Sequence, residues 1–133
     1  MLKNIFCVLA VFMMFLAAVP IQAADFPEKE VQIIIPWAPG GATDLIFRAL
    51  AVSTEKHLGK AVVIVNRAGG GGAVGYTEGM KAKPDGHTLV TAVTPLAILP
   101  HQVKTAFTYK DFEPIINVVQ DPAMFLVRSE APW

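Results

Sequence analysis

The fold is decided by the stretch Val31-Gln32-Ile33-Ile34-Ile35-Pro36-Trp37-Ala38-Pro39-Gly40-Gly41-Ala42-Thr43-Asp44. Its first five residues are a short, mostly β-branched run closed by Pro36, and such a run predicts a buried strand. The prolines and glycines that follow predict a loop. Either Thr43 or Asp44 is a good N-cap, so a helix is predicted to begin there and to end at Gly59.

Two further strands and a second helix follow from the same kind of pattern. We predict a second strand over Val62–Val65, a loop from Asn66 to Gly72, a helix from Ala73 to Lys81 and a third strand from Thr88 to Val93. The strands are almost continuously apolar, as strands are when helices cover both faces of a sheet. This order of elements predicts the α/β class, with a parallel sheet and helices on both faces. In such sheets ligands bind at the carboxyl ends of the strands, and both glycine-rich loops lie at that edge.

The remainder of the chain predicts a short helical turn and two more strands. The turn runs from Leu96 to Leu99 and is expected to end at Pro100. The strands are expected over Pro114–Val119 and Ala123–Val127, on either side of a turn. With the first three strands they would make five.

Length and charge exclude several classes of protein. The chain has 133 residues, which is enough for one small domain and too few for two ordinary ones. Eleven Lys and Arg residues balance eleven Asp and Glu residues. A polybasic nucleic-acid module and a charged disordered tail are both excluded, so no nucleic acid is expected among the partners.

The first 24 residues predict a secretory signal peptide. A single cation, Lys3, precedes a charge-free run from Ile5 to Val19, and small residues follow at a plausible cleavage site. As a helix the run would span about 22 Å, short of the roughly 30 Å hydrocarbon core of a bilayer. The alternative, an uncleaved membrane anchor, fits this length and its flanks less well. We expect residues 1–24 to be removed and the mature chain, from about Asp25, to be periplasmic.

The mature chain offers few groups for catalysis or metal binding. The only cysteine, Cys7, lies in the predicted signal peptide, which excludes disulfides, thiolate metal sites and a cysteine nucleophile from the mature chain. His57, His87 and His101 are scattered without a nearby acidic partner, and neither serine of the mature chain lies in a nucleophile elbow. The pattern predicts no catalytic residue, no metal site and no cofactor.

The loop Pro39-Gly40-Gly41-Ala42-Thr43-Asp44 is the first candidate for a binding site. Glycines let backbone N–H groups approach a ligand, and the following helix contributes unpaired N–H donors and a partial positive charge. This combination suits an anion, particularly a carboxylate. Asp44 would repel an anion, so it is expected to cap the helix or hold the loop. The alternative is a tight turn with no ligand, and Trp37 is expected either beside the ligand or in the core.

The second candidate is the glycine run from Gly69 to Gly72. Gly70, Gly72 and Gly75 satisfy the dinucleotide pattern G-x-G-x-x-G between a strand and a helix. The pattern also needs an acidic residue at the end of the next strand, and none occurs on the third strand or in the loop after it. A small α/β enzyme that binds a phosphorylated or nucleotide substrate at these loops stays as the alternative function.

Several blocks of sequence, in the same order, resemble the substrate-binding receptors of tripartite tricarboxylate transporters, the TctC or Bug family. The resemblance begins with the stretch quoted first and covers essentially the whole mature chain. The blocks that carry it further are Leu58-Gly59-Lys60-Ala61-Val62-Val63-Ile64-Val65-Asn66-Arg67, the glycine run, Lys83-Pro84-Asp85-Gly86-His87-Thr88-Leu89, Phe107-Thr108-Tyr109-Lys110-Asp111-Phe112-Glu113-Pro114-Ile115 and Ala131-Pro132-Trp133. The predicted signal peptide agrees with this resemblance.

The resemblance implies a periplasmic solute receptor, not an enzyme, for a small carboxylate: a tricarboxylate, a dicarboxylate or an acidic amino acid. Its partners would be one large and one small integral membrane subunit of a transporter. In the family, the loops after the first and third strands help to hold a ligand carboxylate, partly through water, and the glycine loop lies near the cleft. Carried onto this chain, the ligand-binding residues are Trp37, Pro39, Gly40, Gly41, Ala42, Thr43, Asp44, Gly70, Gly71, Thr91 and Thr94.

The resemblance also implies the fold of a type II-like periplasmic binding protein, with two α/β lobes and a ligand cleft between them. Family members are much longer than this chain. Residues 25–133 are therefore expected to form an incomplete, N-terminal part of the first lobe, with the second lobe absent.

Overall fold

A sheet of parallel strands lies at the centre of the protein in the computed structural model, which describes residues 26–120 and 126–130. Its middle strand pairs on both sides, with Ile33 beside Ile64 in one neighbour and Leu89 in the other. The parallel sheet predicted from the apolar runs is confirmed. Within the described residues it has three strands in the order β2-β1-β3, namely β1 (Val31–Ile35), β2 (Val62–Asn66) and β3 (Thr88–Val90).

Helices cover both faces of this sheet, as predicted. Leu89 packs with an apolar cluster under the first helix, whereas the next residue, Val90, packs with a cluster formed by the other two helices. Because successive residues of a strand point to opposite faces, the two clusters lie on opposite sides of the sheet. The helices are α1 (Ala42–Leu58), α2 (Ala73–Lys81) and α3 (Pro95–Gln102). The buried members of the clusters are Ile33, Ala51 and Val62 under α1, and Tyr76, Leu96, Leu99 and Phe107 on the other side.

Helix α1 begins slightly earlier than predicted. Its N-cap is Gly41, rather than Thr43 or Asp44. The carboxylate of Asp44 accepts a hydrogen bond from the N–H of Gly40, so this side chain acts from inside the first helical turn. The other end agrees with the prediction, because Gly59 adopts a left-handed conformation with φ +66° and stops the helix.

Two predictions about the chain around α3 are wrong. The third strand ends at Val90 rather than Val93, because the last ladder hydrogen bond runs from the N–H of Thr91 to the carbonyl of Ile34 and the chain then turns into α3. Pro100 lies inside α3 and does not end it. A proline so close to the C-terminal end of a helix removes few hydrogen bonds, and α3 continues to Gln102.

The strand predicted over Pro114–Val119 does not form within the described residues. This segment has no regular secondary structure, and Ile115 and Ile116 are 73% and 78% exposed. A strand needs a neighbour for its backbone hydrogen bonds, and an apolar pattern alone does not supply one. The strand predicted over Ala123–Val127 lies mostly outside the described residues.

An aromatic group anchors the segment that follows α3. The ring centroid of Tyr76 lies 5.4 Å from that of Phe107 and 6.3 Å from that of Phe112. These spacings suit the tilted and edge-to-face contacts that aromatic rings prefer. The connection between Phe107 and Phe112 is thereby fixed against α2.

The turn before β3 lies at the amino edge of the sheet, away from the predicted ligand edge. Asp85 accepts a hydrogen bond from the backbone N–H of His87, and the ammonium of Lys29 lies 3.2 Å from its carboxylate. The His87 N–H, and then Lys29, lower the pKa of Asp85 to about 2. The carboxylate also lies 3.3 Å from the His87 ring, so this histidine does have a nearby acidic partner, contrary to the prediction from sequence.

Gly75 provides a test of how closely α2 packs on β1. A Cβ at this position would lie 2.8 Å from the Pro36 Cα and 3.0 Å from the Arg67 carbonyl oxygen. Alanine is favoured over glycine in a helix by about 1 kcal/mol. We nevertheless expect Gly75→Ala to lower the free energy of unfolding by about 1–3 kcal/mol, because backbone atoms would have to move.

Urea denaturation measures this change, and Gly41→Ser is the matched control. A Cβ at Gly41 would meet only the Ala38 carbonyl, at 3.9 Å, and φ there is −77°. Because serine is at least as good an N-cap as glycine, the stability of this variant should fall by less than about 0.5 kcal/mol. Equal stability of Gly75→Ala and the unmodified protein would show that α2 does not pack as described.

Candidate functional site

The loops predicted to bind a ligand meet at one edge of the sheet. Because the strands are parallel, the ends of β1, β2 and β3 at Ile35, Asn66 and Val90 all lie at the carboxyl edge. Two of the loops are joined directly, since the side-chain amide of Asn66 donates to the carbonyl of Trp37 over 3.1 Å. The edge therefore brings together residues from separate parts of the sequence.

The first loop presents free backbone donors at the start of α1. The first hydrogen bond of the helix runs from the N–H of Leu45 to the carbonyl of Gly41. In the described part of the chain, the N–H groups of Gly41, Ala42 and Thr43 have no acceptor. Gly41 and Ala42 are exposed. Such donors, with the partial positive charge of the helix end, can hold an anion.

Gly40 has a different part in this loop. Its φ is +87°, in the region that favours glycine, so it makes the sharp bend that leads into α1. Its N–H donates to Asp44 Oδ2 over 2.9 Å. The N–H groups without an acceptor among the described residues therefore include those of residues 41–43, one position further along than the first glycine.

Asp44 lies in a ring of three hydrogen-bonded side chains. Arg48 Nε donates to Asp44 Oδ2 at 2.9 Å, and Asn66 Nδ2 donates to Asp44 Oδ1 at 3.0 Å. Arg48 Nη2 closes the ring by donating to Asn66 Oδ1 at 3.0 Å. Asp44 is 2% exposed. The hydrogen bond from Arg48, followed by those from Gly40 and Asn66, holds the pKa of Asp44 well below its usual range.

Sequence reasoning missed Arg48 and Asn66. Asp44 and Arg48 stand four residues apart on one helix, which is a spacing that favours an ion pair and could have indicated the contact. No local signal connects Asn66 to either of them, because Asn66 follows β2 and meets them only through the sheet.

The glycine run is explained largely by packing. Gly69 to Gly72 all have positive φ. A Cβ on Gly72 would lie 2.9 Å from the Tyr76 ring and 3.4 Å from the Trp37 ring, and one on Gly71 would lie 3.4 Å from Leu99. The absence of a side chain at Gly72 thus lets the Trp37 and Tyr76 rings approach the backbone. Gly70 and Gly71, which were predicted to bind ligand, are exposed beside this contact.

The third loop contributes one buried and one exposed threonine. Thr91 is 4% exposed, and its hydroxyl has no hydrogen-bond partner among residues 26–120 and 126–130. Thr94 is exposed, and its carbonyl accepts from Ala97 at the start of α3. The Tyr76 hydroxyl is also buried without a partner of good geometry in the same ranges, near the Val93 backbone, and burial raises the pKa of that hydroxyl.

Metal sites and membrane spans can be assessed only in the described ranges. There, no three His, Cys, Asp or Glu side chains are close enough to hold a metal ion. None of the described helices has the length and apolar character required to cross a bilayer.

Comparison with known proteins connects this geometry to one family. The family described as "Tripartite tricarboxylate transporter family receptor" matches residues 46–133. Protein BugT of Bordetella pertussis is 36% identical over 134 aligned positions, which cover 95% of this chain and 41% of BugT. The chain spans about two fifths of the length of the curated relatives it matches.

Solved structures agree in fold and in sequence. A TctC solute binding protein from Polaromonas, solved with no ligand, is 34% identical with a TM-score of 0.64, over 68% of this chain and 31% of that one. MatC from Rhodopseudomonas palustris, solved with bound malate, is 35% identical with a TM-score of 0.54, over 62% of this chain and 29% of that one. Both likenesses support the α/β fold of this chain.

The low pKa of Asp44 predicts how acid affects the ring. Because the folded-state pKa is depressed, the stabilisation is complete above the unfolded-state value of about 3.9 and is lost as the pH falls below it. We expect Asp44→Asn to lose less unfolding free energy than the unmodified protein when the pH is lowered from 5 to 3, as measured by urea denaturation. Glu113→Gln, which alters an exposed carboxylate, should behave as the unmodified protein does. The same acid sensitivity in Asp44→Asn and the unmodified protein would contradict this prediction.

Proposed function

The chain belongs to the tripartite tricarboxylate transporter family of receptors, and from that premise we propose that it captures a small carboxylate in the periplasm for a membrane carrier. The observation that carries this proposal is the set of N–H groups of residues 41–43 at the start of α1, which have no acceptor in the part of the chain that the structure describes. They lie at the edge of the sheet where the other loops also end. The family serves transport, and we propose no catalytic step for this chain.

A ligand carboxylate fits this site through its two oxygens. Each oxygen can accept hydrogen bonds from the backbone donors of Gly41, Ala42 and Thr43, and the helix end supplies partial positive charge. We propose that Trp37 and Pro39 border the ligand and that Thr94, from the third loop, faces it. Gly70 and Gly71 are proposed to line the periphery of the site.

Three further predicted residues support the site in this proposal without being direct donors to the ligand. Thr91 has a buried hydroxyl without a hydrogen-bond partner among the described residues, so a bound water could link it to the ligand. Asp44 and Gly40 shape the loop by bonding to each other. Malate bound to MatC, a relative of similar fold, supports a dicarboxylate, and the proposed ligand class also includes tricarboxylates and acidic amino acids.

The proposed partners are the large and small integral membrane subunits of a tripartite transporter, with no nucleic acid. We also propose that residues 25–133 are the N-terminal part of the first lobe of a two-lobed receptor. The fraction of the relatives' length that the chain spans, about two fifths, supports this assignment.

The alternative of a small enzyme with a phosphorylated or nucleotide substrate has less support. Its main argument was the glycine pattern, but Gly72 is buried beside the Trp37 and Tyr76 rings, and Gly75 packs against Pro36. Two of the three glycines of the pattern are therefore required by close packing. No observation at the site favours a phosphate over a carboxylate.

Removing one backbone donor tests the carboxylate site. Ala42 is the first residue of α1, where proline is tolerated, and Gly41 before it has the extended conformation that proline requires. Ala42→Pro deletes one N–H while the helix is kept, so we expect malate or citrate to bind at least about tenfold more weakly, as measured by calorimetry.

Ala42→Ser is the matched control, because it changes the side chain and keeps the N–H. It should bind with nearly unchanged affinity, and both variants should melt at temperatures similar to that of the unmodified protein. Binding of ATP or NAD without binding of any carboxylate would overturn the proposed function. Equal affinities of the proline and serine variants would remove this loop from the site.

Export provides a separate test of the proposed location. The family is periplasmic, and we propose that residues 1–24 are a cleavable signal peptide. Deleting them should leave the protein in the cytoplasm, and N-terminal sequencing of periplasmic material should begin near Ala24 or Asp25. Periplasmic protein that still starts at Met1 would contradict the cleavage.

A further inference from the structure

A buried acidic residue lies in the same helical turn as the proposed anion site. Asp44 is the third residue of α1, directly after the donors of residues 41–43. An ionised carboxylate there would oppose a second carboxylate and would partly cancel the positive helix end. Asp44 is ionised at neutral pH, because its pKa is held well below the usual range. The site therefore needs a means of cancelling this charge.

Arg48 supplies the opposite charge at contact distance. Its Nε lies 2.9 Å from Asp44 Oδ2, and its Nη2 donates to Asn66, which in turn donates to Asp44 Oδ1. Both carboxylate oxygens are thus occupied by donors other than those of residues 41–43. The Arg48 side chain is about half exposed, so it carries its charge at the surface of the site and not in the core.

We propose that Arg48 is a positioning and charge-compensating residue for carboxylate binding. It neutralises Asp44 and, with Asn66, holds the loop so that the donors of residues 41–43 face an anion without a net opposing charge. Arg48 acts through Asp44 and does not contact the ligand. This inference rests on the proposed function, and it adds a role for two residues outside the loop.

A charge-compensating role has a consequence that a purely structural role lacks. The penalty for losing Arg48 should grow with the charge of the ligand, since the uncompensated Asp44 repels a dianion more than a monoanion. It should also diminish at high salt, because Arg48 is half exposed and the opposing charges are screened. Loss of loop structure alone would weaken the binding of both ligands to the same extent, and that loss of affinity would not diminish at high salt.

A charge cycle on the full chain tests the proposal, with malate as the dianion and lactate as the monoanion. Calorimetry at neutral pH and low salt compares the unmodified protein with Arg48→Gln, Asp44→Asn and the double variant. We expect Arg48→Gln to bind malate at least about tenfold more weakly, and Asp44→Asn to bind it more tightly than the unmodified protein. The double variant should regain most of the affinity that Arg48→Gln loses, although it lacks the ion pair.

Melting temperatures separate this result from a structural effect. Each single variant and the double variant lose hydrogen bonds, so all three should melt below the unmodified protein, while their affinities move in different directions. Should Arg48→Gln fail to fold, Arg48→Lys decides the matter, because it keeps the positive charge beside Asp44 and loses the hydrogen bond from Nη2 to Asn66. It should bind malate within about threefold of the unmodified protein, and a loss of about tenfold would overturn the charge-compensating role.

The possible failures are distinct. If the unmodified protein binds no carboxylate, the proposed function fails and this inference fails with it. If the unmodified protein binds malate and Arg48→Gln binds it equally well, the role of Arg48 is overturned while the proposed function stands. The same holds if the malate affinity of every variant falls in proportion to its loss of stability.

Discussion

The parallel pairing of β1 with a strand on each side is the constraint on which the rest of the structure depends. β1 is hydrogen-bonded to β2 and β3, and four of its five residues are buried. Because all three strands run the same way, each must return through a helix, and the helices come to cover both faces. The same constraint places the end of every strand at one edge. The candidate site is a consequence of that edge and not of any single motif.

The central strand, its neighbour β2 and the helix that joins them could be predicted from sequence, because their signals are local. Apolar runs mark the strands, and Gly59 marks the end of α1 through a conformation that other residues rarely adopt. The predicted strand over Pro114–Val119 failed for the opposite reason. Its apolar pattern is as clear as that of β1, but a strand exists only where another strand accepts its hydrogen bonds, and the described residues offer it none.

The candidate site shows the same division between local and distant information. The loop and its free donors could be predicted, because glycines followed by a helix start are contiguous in the chain. The hydrogen bond between Asn66 and Asp44 could not be predicted, because 22 residues separate them and only the sheet brings them together. The glycine run was ambiguous in sequence for a related reason. Glycine is needed wherever backbone approaches another group closely, and only the fold shows that at Gly72 this group is a pair of aromatic rings.

Asp44 illustrates why charges at such a site must be considered together. Taken alone, an acidic residue at a helix start argues against an anion site, and its burial would make an unpaired charge costly. Asp44, Arg48 and Asn66 change that conclusion, because their ring satisfies the carboxylate and leaves no net charge within it. The acidic residue can then shape the loop by accepting a hydrogen bond from the N–H of Gly40, and it does not occupy the donors of residues 41–43. An acid that, from sequence, opposes a carboxylate ligand is, in the folded chain, satisfied by Arg48, Asn66 and the N–H of Gly40, and among the described residues the N–H groups of residues 41–43 stay without an acceptor.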